Sequence, residues 1–161
     1  MSAFLIRDAK LPDDHETFLS FVMGTQRFEH AIQPDRRLDS TVAEDYLAVL
    51  LADVARRNGR IFVAVGEDGT RLGWGVAHEE ENDVYVEKEL RLHGYISELF
   101  VVEEMRGRGV GRALMEACEQ WARSRGLPLM MIGVLSGNTR AKRIYESSGY
   151  APYALRLCKP L

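Results

Sequence analysis

The sequence has 161 residues, of which 46% are hydrophobic and 28% charged, and its formal net charge at pH 7 is −3. This is the composition of one globular domain, residues 1–161, long enough to bury a core without disulfides or metal. The acidic balance argues against a general nucleic-acid surface, and two cysteines with four scattered histidines argue against a disulfide framework or a zinc site. No apolar run reaches the roughly 20 residues that span a bilayer, and the first residues lack an apolar signal segment, so we expect a cytoplasmic protein.

Hydrophobic periodicity predicts strands and helices in the first half of the chain. A strand is expected at residues 3–9, followed by helices from about 13 to 28 and from about 42 to 57. Strands at residues 61–65 and 72–77 follow, joined by Glu-Asp-Gly-Thr, which is typical of a hairpin turn.

The second half alternates strands and helices more regularly. It predicts strands at residues 95–102, 129–135 and 152–158, with a helix at 110–125 after the first of them and a helix at 138–147 after the second. Helices that interrupt the strands in this way favour an α/β (α+β) fold, with a mixed sheet and helices on both faces.

The segment 106–112 alternates arginine and glycine where a predicted strand passes into a helix. Glycine lets backbone N–H groups approach a ligand closely, and a helix N-terminus carries partial positive charge. A tight turn that uses glycine for its conformation and arginine for solubility is the alternative. The pattern favours a diphosphate-binding turn made of Arg106, Gly107, Arg108, Gly109, Val110, Gly111 and Arg112.

Two common phosphate motifs do not fit this turn. A P-loop requires a lysine followed by serine or threonine, which does not occur here. A dinucleotide fingerprint starting at Gly107 and Gly109 requires a third glycine where the chain has Arg112. The pattern Arg-x-x-Gly-x-Gly does fit, from Arg106 to Gly111.

This pattern resembles the acetyl-CoA pyrophosphate motif of the GNAT-type N-acetyltransferases. A second block, residues 138–150, resembles the family signature Asn-x-x-Ala-x-x-x-Tyr-x-x-x-Gly-Phe, with Tyr150 in place of the commoner phenylalanine. The two blocks occur in the family's order and spacing, and the resemblance covers most of the chain from Arg60 onward. It implies a GNAT-like mixed, mostly antiparallel sheet of six to seven strands, with a cofactor cleft between two splayed central strands. It also implies transfer of an acetyl group from acetyl-CoA, without a metal, directly to a primary amine of a small molecule or peptide.

The resemblance further implies where acetyl-CoA binds. The pantetheine arm would lie along the strand at residues 95–102, where backbone groups of Phe100, Val101 and Val102 would bond it. Asn138 would bond the same arm, and it also suits a helix N-cap. Cationic residues near the start of the last helix would suit the 3′-phosphate of CoA, although a solvated helix face explains them equally well: Arg140, Lys142 and Arg143.

Two residues are candidates for catalysis. By the family pattern Tyr145 faces the thioester sulfur, and a phenol with a pKa of about 10 would suit a departing thiolate. Its alternative role is to pack the helix on the sheet. Glu98 lies among apolar residues of the key strand, so desolvation would raise its pKa toward that of a useful base, acting directly or through a water. Its alternative is a carboxylate bonded to backbone or to a basic side chain.

The acceptor is not identified by the sequence. The two N-terminal helices would shape its site in this family, with His15, Phe28, Glu29 and His30 nearby, and an aminoglycoside, a polyamine, an amino acid or a protein N-terminus would all fit. A homodimer is expected, with no nucleic-acid or membrane partner. An acidic stretch suggests either a rim that attracts cationic amines or a solvated loop: Glu79, Glu80, Glu81, Asp83, Glu87 and Glu89.

Two functions of other classes remain open at this level. A CoA-binding regulatory or assembly module would keep the diphosphate turn but transfer little or no acetyl group. A nucleotide-binding oxidoreductase is a more distant alternative, which would require affinity for NAD above that for CoA.

Overall fold

A single five-stranded sheet, in the order β1-β2-β3-β4-β5, forms the frame of the computed structural model, which describes residues 4–161. β1 to β4 pair antiparallel, and β5 joins β4 in parallel. The predicted mixed, mostly antiparallel sheet is therefore confirmed. The strands are β1 (Phe4–Asp8), β2 (Arg60–Gly66), β3 (Arg71–Glu81), β4 (Leu92–Val101) and β5 (Met130–Ile132).

The helices follow the apolar spacing of the sequence. Four of them agree with predicted segments to within a few residues, whereas the four-residue α3 was not predicted. A single 3-10 turn, Glu103–Met105, connects β4 to the turn that precedes α4. The helices are α1 (His15–His30), α2 (Val42–Arg56), α3 (Lys88–Arg91), α4 (Val110–Ser124) and α5 (Thr139–Ser147).

Helices cover both faces of the sheet because successive strand residues point to opposite sides. Val63 of β2 packs with Trp74 of β3 and with the buried faces of α1 and α2. The next residue, Ala64, packs instead with Leu114 of α4. The prediction of helices on both faces is confirmed.

The strand count differs from the six to seven that were expected. Residues 151–161 have no regular secondary structure, and the predicted strand at 152–158 is wrong. Its apolar residues Tyr153, Leu155 and Leu157 are 67%, 78% and 83% exposed. Alternating apolar residues form a strand only where a neighbouring strand accepts their backbone hydrogen bonds, and within the described chain this segment has none.

A cleft opens between the two last strands of the sheet. Pairing between β4 and β5 ends at Ile96 and Ile132, while β4 continues to Val101. The predicted strand at 129–135 is therefore shorter than expected, because the chain after Ile132 leaves the sheet. On the opposite edge of β4 the register with β3 shifts so that Ser97 has no partner, and this β-bulge lies directly before Glu98.

Candidate active site

A cavity of about 650 Å³ lies where β4 and β5 separate. Residues 96–101 of β4 form one wall, and the starts of α4 and α5 form the next. α1 closes the third side together with Tyr46, the residue of α2 that reaches this space. The elements predicted to bind a cofactor and those predicted to shape an acceptor site therefore face a common space.

One end of the cavity is the N-terminus of α4. Gly107 and Gly109 have φ angles of 78° and 86°, a left-handed conformation that other residues rarely adopt. Within the described chain no side chain caps this helix, so the N–H groups of its first turn lack a partner in the helix. Gly107, Gly109, Gly111 and Arg112 line the cavity here. These N–H groups and the helix dipole suit an anion such as a diphosphate.

Two other members of the predicted turn do not line the cavity. The Arg108 side chain is exposed to solvent. Val110 is 1% exposed and packs beside Leu114 in the core under α4. Its side chain anchors the first turn of the helix, so only its backbone N–H could meet a ligand.

The guanidinium of Arg106 contacts aromatic rings. It lies 5.3 Å from the ring centroid of Phe28 on α1 and 5.8 Å from that of Phe100 on β4. Its Nε donates a hydrogen bond of 3.0 Å to the carbonyl oxygen of Val101. Arg106 also lines the cavity, and its side chain thus connects the glycine turn to α1.

The end of β4 is only partly available to a ligand. Phe100 and Val101 line the cavity, whereas Val102 does not. The Val102 N–H donates to the carbonyl oxygen of Leu72 at 2.9 Å, and its side chain packs against the core. The amide of Val102 is therefore already used within the protein.

Glu98 is a carboxylate on the cavity wall that is only 9% exposed. Burial raises its pKa to about 7, because a desolvated carboxylate is less stable than the neutral acid, and the negative charge of Glu29 adds to the rise. A hydrogen bond from Tyr46 opposes it. A carboxyl group that titrates near neutral pH can take up and release a proton under physiological conditions.

Tyr46 was missed as a site residue by the sequence analysis. It has the spacing of an apolar residue on α2, but its hydroxyl donates a hydrogen bond of 2.5 Å to Glu98 Oε1. Tyr46 is 37% exposed as a whole residue, but desolvation of its hydroxyl and the nearby Glu98 carboxylate raise its pKa, so the hydroxyl keeps its proton. A contact between residues on separate elements has no signal in local periodicity.

Tyr145 lines the cavity from α5. Its ring packs against the cluster around α4, with its centroid 6.2 Å from that of Tyr150. Burial, followed by the charges of Glu29 and Glu98, raises the pKa of Tyr145 to about 12. Tyr145 is therefore a weaker acid than the ordinary phenol assumed from the sequence, and its hydroxyl stays protonated at neutral pH.

The start of α5 contributes an amide and a guanidinium. Asn138 is the N-cap of this helix, where its Oδ1 accepts a hydrogen bond of 3.1 Å from the Ala141 N–H, and it also lines the cavity. Of the cationic residues considered for a phosphate, Arg140 lines the cavity, whereas Arg143 is exposed and does not. Lys142 donates to the carbonyl oxygen of Ser136 at 3.1 Å.

The acidic stretch at the end of β3 lies outside the cavity lining. Glu79 binds Arg125 at 2.5 Å and Asn58 at 2.7 Å, and Glu80 lies 3.5 Å from Arg57. These pairs and the exposure of the following loop agree with the solvated-surface alternative, not with a rim around an acceptor.

α1 brings two of its four expected residues to the cavity. Phe28 and Glu29 line it, whereas His15 and His30 do not. Glu29 Oε2 accepts a hydrogen bond of 2.7 Å from the Nε of Arg36, which also lines the cavity. This end of the cavity therefore combines carboxylates with an aromatic ring and a paired arginine.

Residues 4–161 contain no group of three or more His, Cys, Asp or Glu side chains placed to hold a metal ion. In the same range no helix has the length and apolar character needed to cross a membrane.

The chain matches a known protein family. The family model described as "Acetyltransferase (GNAT) family" matches residues 25–150. A solved GCN5-related N-acetyltransferase from Ralstonia eutropha JMP134 superposes with a TM-score of 0.76 at 21% identity, over 98% of this chain and 98% of that chain. This second match shows that the two proteins share a fold.

Two curated relatives are more similar in sequence over shorter stretches. An aminoglycoside N(6')-acetyltransferase type 1 from Klebsiella aerogenes is 29% identical over 119 residues, which cover 71% of this chain and 76% of that protein. A mycothiol acetyltransferase from Thermobispora bispora is 45% identical over 65 residues, which cover 38% of this chain and 22% of that protein. The chain spans between about a fifth and a half of the length of the first curated relatives it matches.

Proposed function

Because the chain belongs to the GNAT family of acetyltransferases, we propose that it moves an acetyl group from acetyl-CoA directly to a primary amine of a small molecule or peptide. One observation carries this proposal. The same cavity is lined by the uncapped N-terminus of α4, by the buried carboxylate of Glu98 and by the hydroxyl-bearing Tyr145. An anion site, a base and a proton donor in one space are what acyl transfer from a phosphate-bearing thioester requires.

The residues of the cavity fit acetyl-CoA, which would supply the activated acetyl group. The first-turn N–H groups of α4, including that of Val110, would hold the pyrophosphate together with Arg112. The edge of β4 that β5 leaves unpaired would hold the pantetheine arm through Phe100 and Val101. The side-chain N–H₂ of Asn138 would add a donor, since its Oδ1 already caps α5.

Glu98 serves as the general base in this proposal. An acceptor amine arrives as an ammonium ion and must lose a proton before it attacks the acetyl carbonyl. With a pKa of about 7, Glu98 is largely ionised slightly above neutral pH and can accept that proton, directly or through a water. Attack forms the C–N bond, and the C–S bond then breaks.

Tyr145 serves the departing sulfur. The amine loses a second proton as the amide forms, and the thiolate gains one. With a pKa of about 12, the Tyr145 hydroxyl would not release its proton to a thiolate unaided. The Tyr145 hydroxyl therefore donates a hydrogen bond to the sulfur. It transfers its own proton to the sulfur as it receives the second proton of the amine nitrogen, so that the protons balance.

The acceptor site lies between α1 and Glu98 in this proposal. Glu29 and Glu98 attract a cationic amine, and the ring of Phe28 offers apolar surface beside them. The names of the relatives make an aminoglycoside one reasonable acceptor, and a polyamine, an amino acid or a protein N-terminus are others.

The function is tested by incubating acetyl-CoA with amines of these four acceptor classes and measuring the release of free CoA thiol. We expect amine-dependent release that falls at least tenfold in Tyr145→Phe. Tight acetyl-CoA binding without release for any amine class would instead favour the CoA-binding module. Affinity for NAD above that for CoA would favour the oxidoreductase.

We also propose that residues 1–161 form one domain, which acts in the cytoplasm as a homodimer. The exposed apolar side chains of residues 151–161 support the dimer, since a second copy could cover them. Sedimentation analysis would distinguish a species of 18.2 kDa from one of twice that mass. A monomer at all accessible concentrations would contradict this part of the proposal.

A further inference from the structure

A short hydrogen bond crosses the cavity between two separate elements. The Tyr46 hydroxyl of α2 donates to Oε1 of Glu98 on β4 over 2.5 Å. Glu98 makes no other side-chain hydrogen bond with the described residues, so its second oxygen, Oε2, is unpaired. Because Glu98 lines the cavity, a ligand there can supply the missing partner.

The surroundings of Glu98 contain few groups that could replace Tyr46. On α1, Glu29 is a like charge, bound to Arg36 at 2.7 Å. Tyr95 on β4 and Tyr145 on α5 are close enough for the Glu98 charge to raise their pKa values. Three further cations line the same cavity: Arg106, Arg112 and Arg140. Of all these groups, Tyr46 makes the hydrogen bond to the carboxylate.

We propose that Tyr46 is a positioning residue for acetyl transfer. Its hydroxyl binds Oε1 of Glu98 and leaves Oε2 as the atom that accepts the proton of the acceptor amine. This inference rests on the proposed function in its use of Glu98 as the base. The hydrogen bond fixes the carboxylate against rotation, because a bond from α2 holds one oxygen. It also ties the acceptor side of the cavity, formed by α1 and α2, to the strand that carries the base.

The bond has an electrostatic consequence that can be measured without any substrate. A donor to the ionised carboxylate lowers the pKa of Glu98, whereas the charge of Glu29 raises it. Removing the Tyr46 hydroxyl should therefore raise the pKa of Glu98, and removing the Glu29 charge should lower it. If Tyr46 only packed against the cavity wall, removing its hydroxyl would not shift the pKa of Glu98 in the direction opposite to the shift caused by removing the Glu29 charge.

The test is a carboxyl ¹³C NMR titration of protein labelled at glutamate, with the Glu98 signal assigned by its loss in Glu98→Gln. Tyr46→Phe should raise the titration midpoint by about one pH unit, and Glu29→Gln should lower it. Tyr85→Phe is the matched control, since Tyr85 is 85% exposed, and should leave the midpoint unchanged. A Tyr46→Phe midpoint equal to that of the wild type overturns the proposal.

If Tyr46→Phe does not fold, the ¹³Cζ signal of Tyr46 in the unmodified protein serves instead. It should shift with the same midpoint as the Glu98 carboxyl, and a signal that does not respond overturns the proposal. CoA release by Glu98→Gln tests the function separately: an unchanged rate would remove Glu98 as the base, whatever the titration of the hydrogen-bonded pair shows.

Discussion

The guanidinium of Arg106 lies 5.3 Å from the ring centroid of Phe28. Arg106 lies shortly after the end of β4 in sequence, whereas Phe28 belongs to α1, the helix that borders the proposed acceptor site. The same guanidinium lies over Phe100 and bonds the Val101 carbonyl. A residue of the proposed diphosphate turn therefore contacts the opposite wall of the cavity.

This contact predicts different effects for two arginines of the same motif. Arg106→Ala should raise the KM for the acceptor several-fold, because a cation–π contact contributes about 0.5–2 kcal/mol, while acetyl-CoA affinity falls less than threefold. Arg112→Ala, the matched control, should weaken acetyl-CoA about tenfold and leave the acceptor KM nearly unchanged. Calorimetry and steady-state kinetics measure both quantities. Equal losses of acetyl-CoA affinity in the two variants would contradict the assignment of Arg112 to acetyl-CoA and of Arg106 to the acceptor side.

Tyr145→Phe tests the proposed proton path at sulfur. The ring and its packing on α4 remain, so acetyl-CoA affinity should be nearly unchanged, while turnover falls at least tenfold for lack of the hydroxyl. Tyr150→Phe is the matched control, because the Tyr150 hydroxyl bonds Glu119 at 3.1 Å and has no place in the reaction. A Tyr145→Phe enzyme with wild-type turnover would remove Tyr145 from the mechanism.

The pKa of Glu98 predicts how activity depends on pH. The proposed base must be ionised, so kcat/KM should rise with pH through a midpoint near 7 and then level off. Glu98→Gln should lower kcat/KM by about 10²- to 10⁴-fold and remove this rise. Rate measurements from pH 5.5 to 9 with one active acceptor test both effects. A profile without a rise centred near pH 7 would contradict the role of Glu98 as a base with a raised pKa.

Asp14 predicts a pH dependence of stability rather than of activity. It is 0% exposed and accepts hydrogen bonds of 2.7 and 2.9 Å from Arg7 and one of 3.0 Å from Arg71. The Arg7 contact above all holds the pKa of Asp14 well below its usual range. The stabilisation is therefore fully present above the unfolded value of about 3.9 and is lost as pH falls toward the folded value.

Asp14→Asn should accordingly lower the free energy of unfolding by about 3 kcal/mol at pH 7, because it leaves two arginines without their charged partner. Urea unfolding at several pH values measures this loss, which should shrink as pH falls below about 4. The exposed neighbour Asp13 supplies the control Asp13→Asn, with an expected change within about 0.5 kcal/mol. A loss of the same size at pH 7 and pH 2.5 would show that charge is not its cause.

Local patterns in the sequence predicted most of the fold. Helical spacing placed α1, α2, α4 and α5, because an amphipathic helix carries its periodicity in consecutive residues. Residues 152–158 have apolar side chains at alternate positions, a pattern as clear as the helical spacing of these helices, yet they form no strand. Whether such a segment pairs depends on a free sheet edge elsewhere, and its own residues contain no information about that edge.

The residues of the candidate site also fall into two groups: those that a local sequence pattern predicted and those that it did not. Gly109 and Gly111 were predicted as site residues because the turn into α4 is a local feature, and Tyr145 because it belongs to a short motif, and all three line the cavity. The side chains that contact Glu98 and Arg106 were not predicted. The hydrogen bond from Tyr46 to Glu98 and the cation–π contact of Arg106 with Phe28 depend on how α1 and α2 pack over the sheet, which no short stretch of sequence specifies.

Titration of acetyl-CoA into the purified protein, followed by calorimetry, tests the central claim most directly. The account predicts saturable binding by the start of α4, weakened about tenfold in Arg112→Ala. Absence of any heat of binding at millimolar acetyl-CoA would contradict the proposed site and, with it, the proposed reaction.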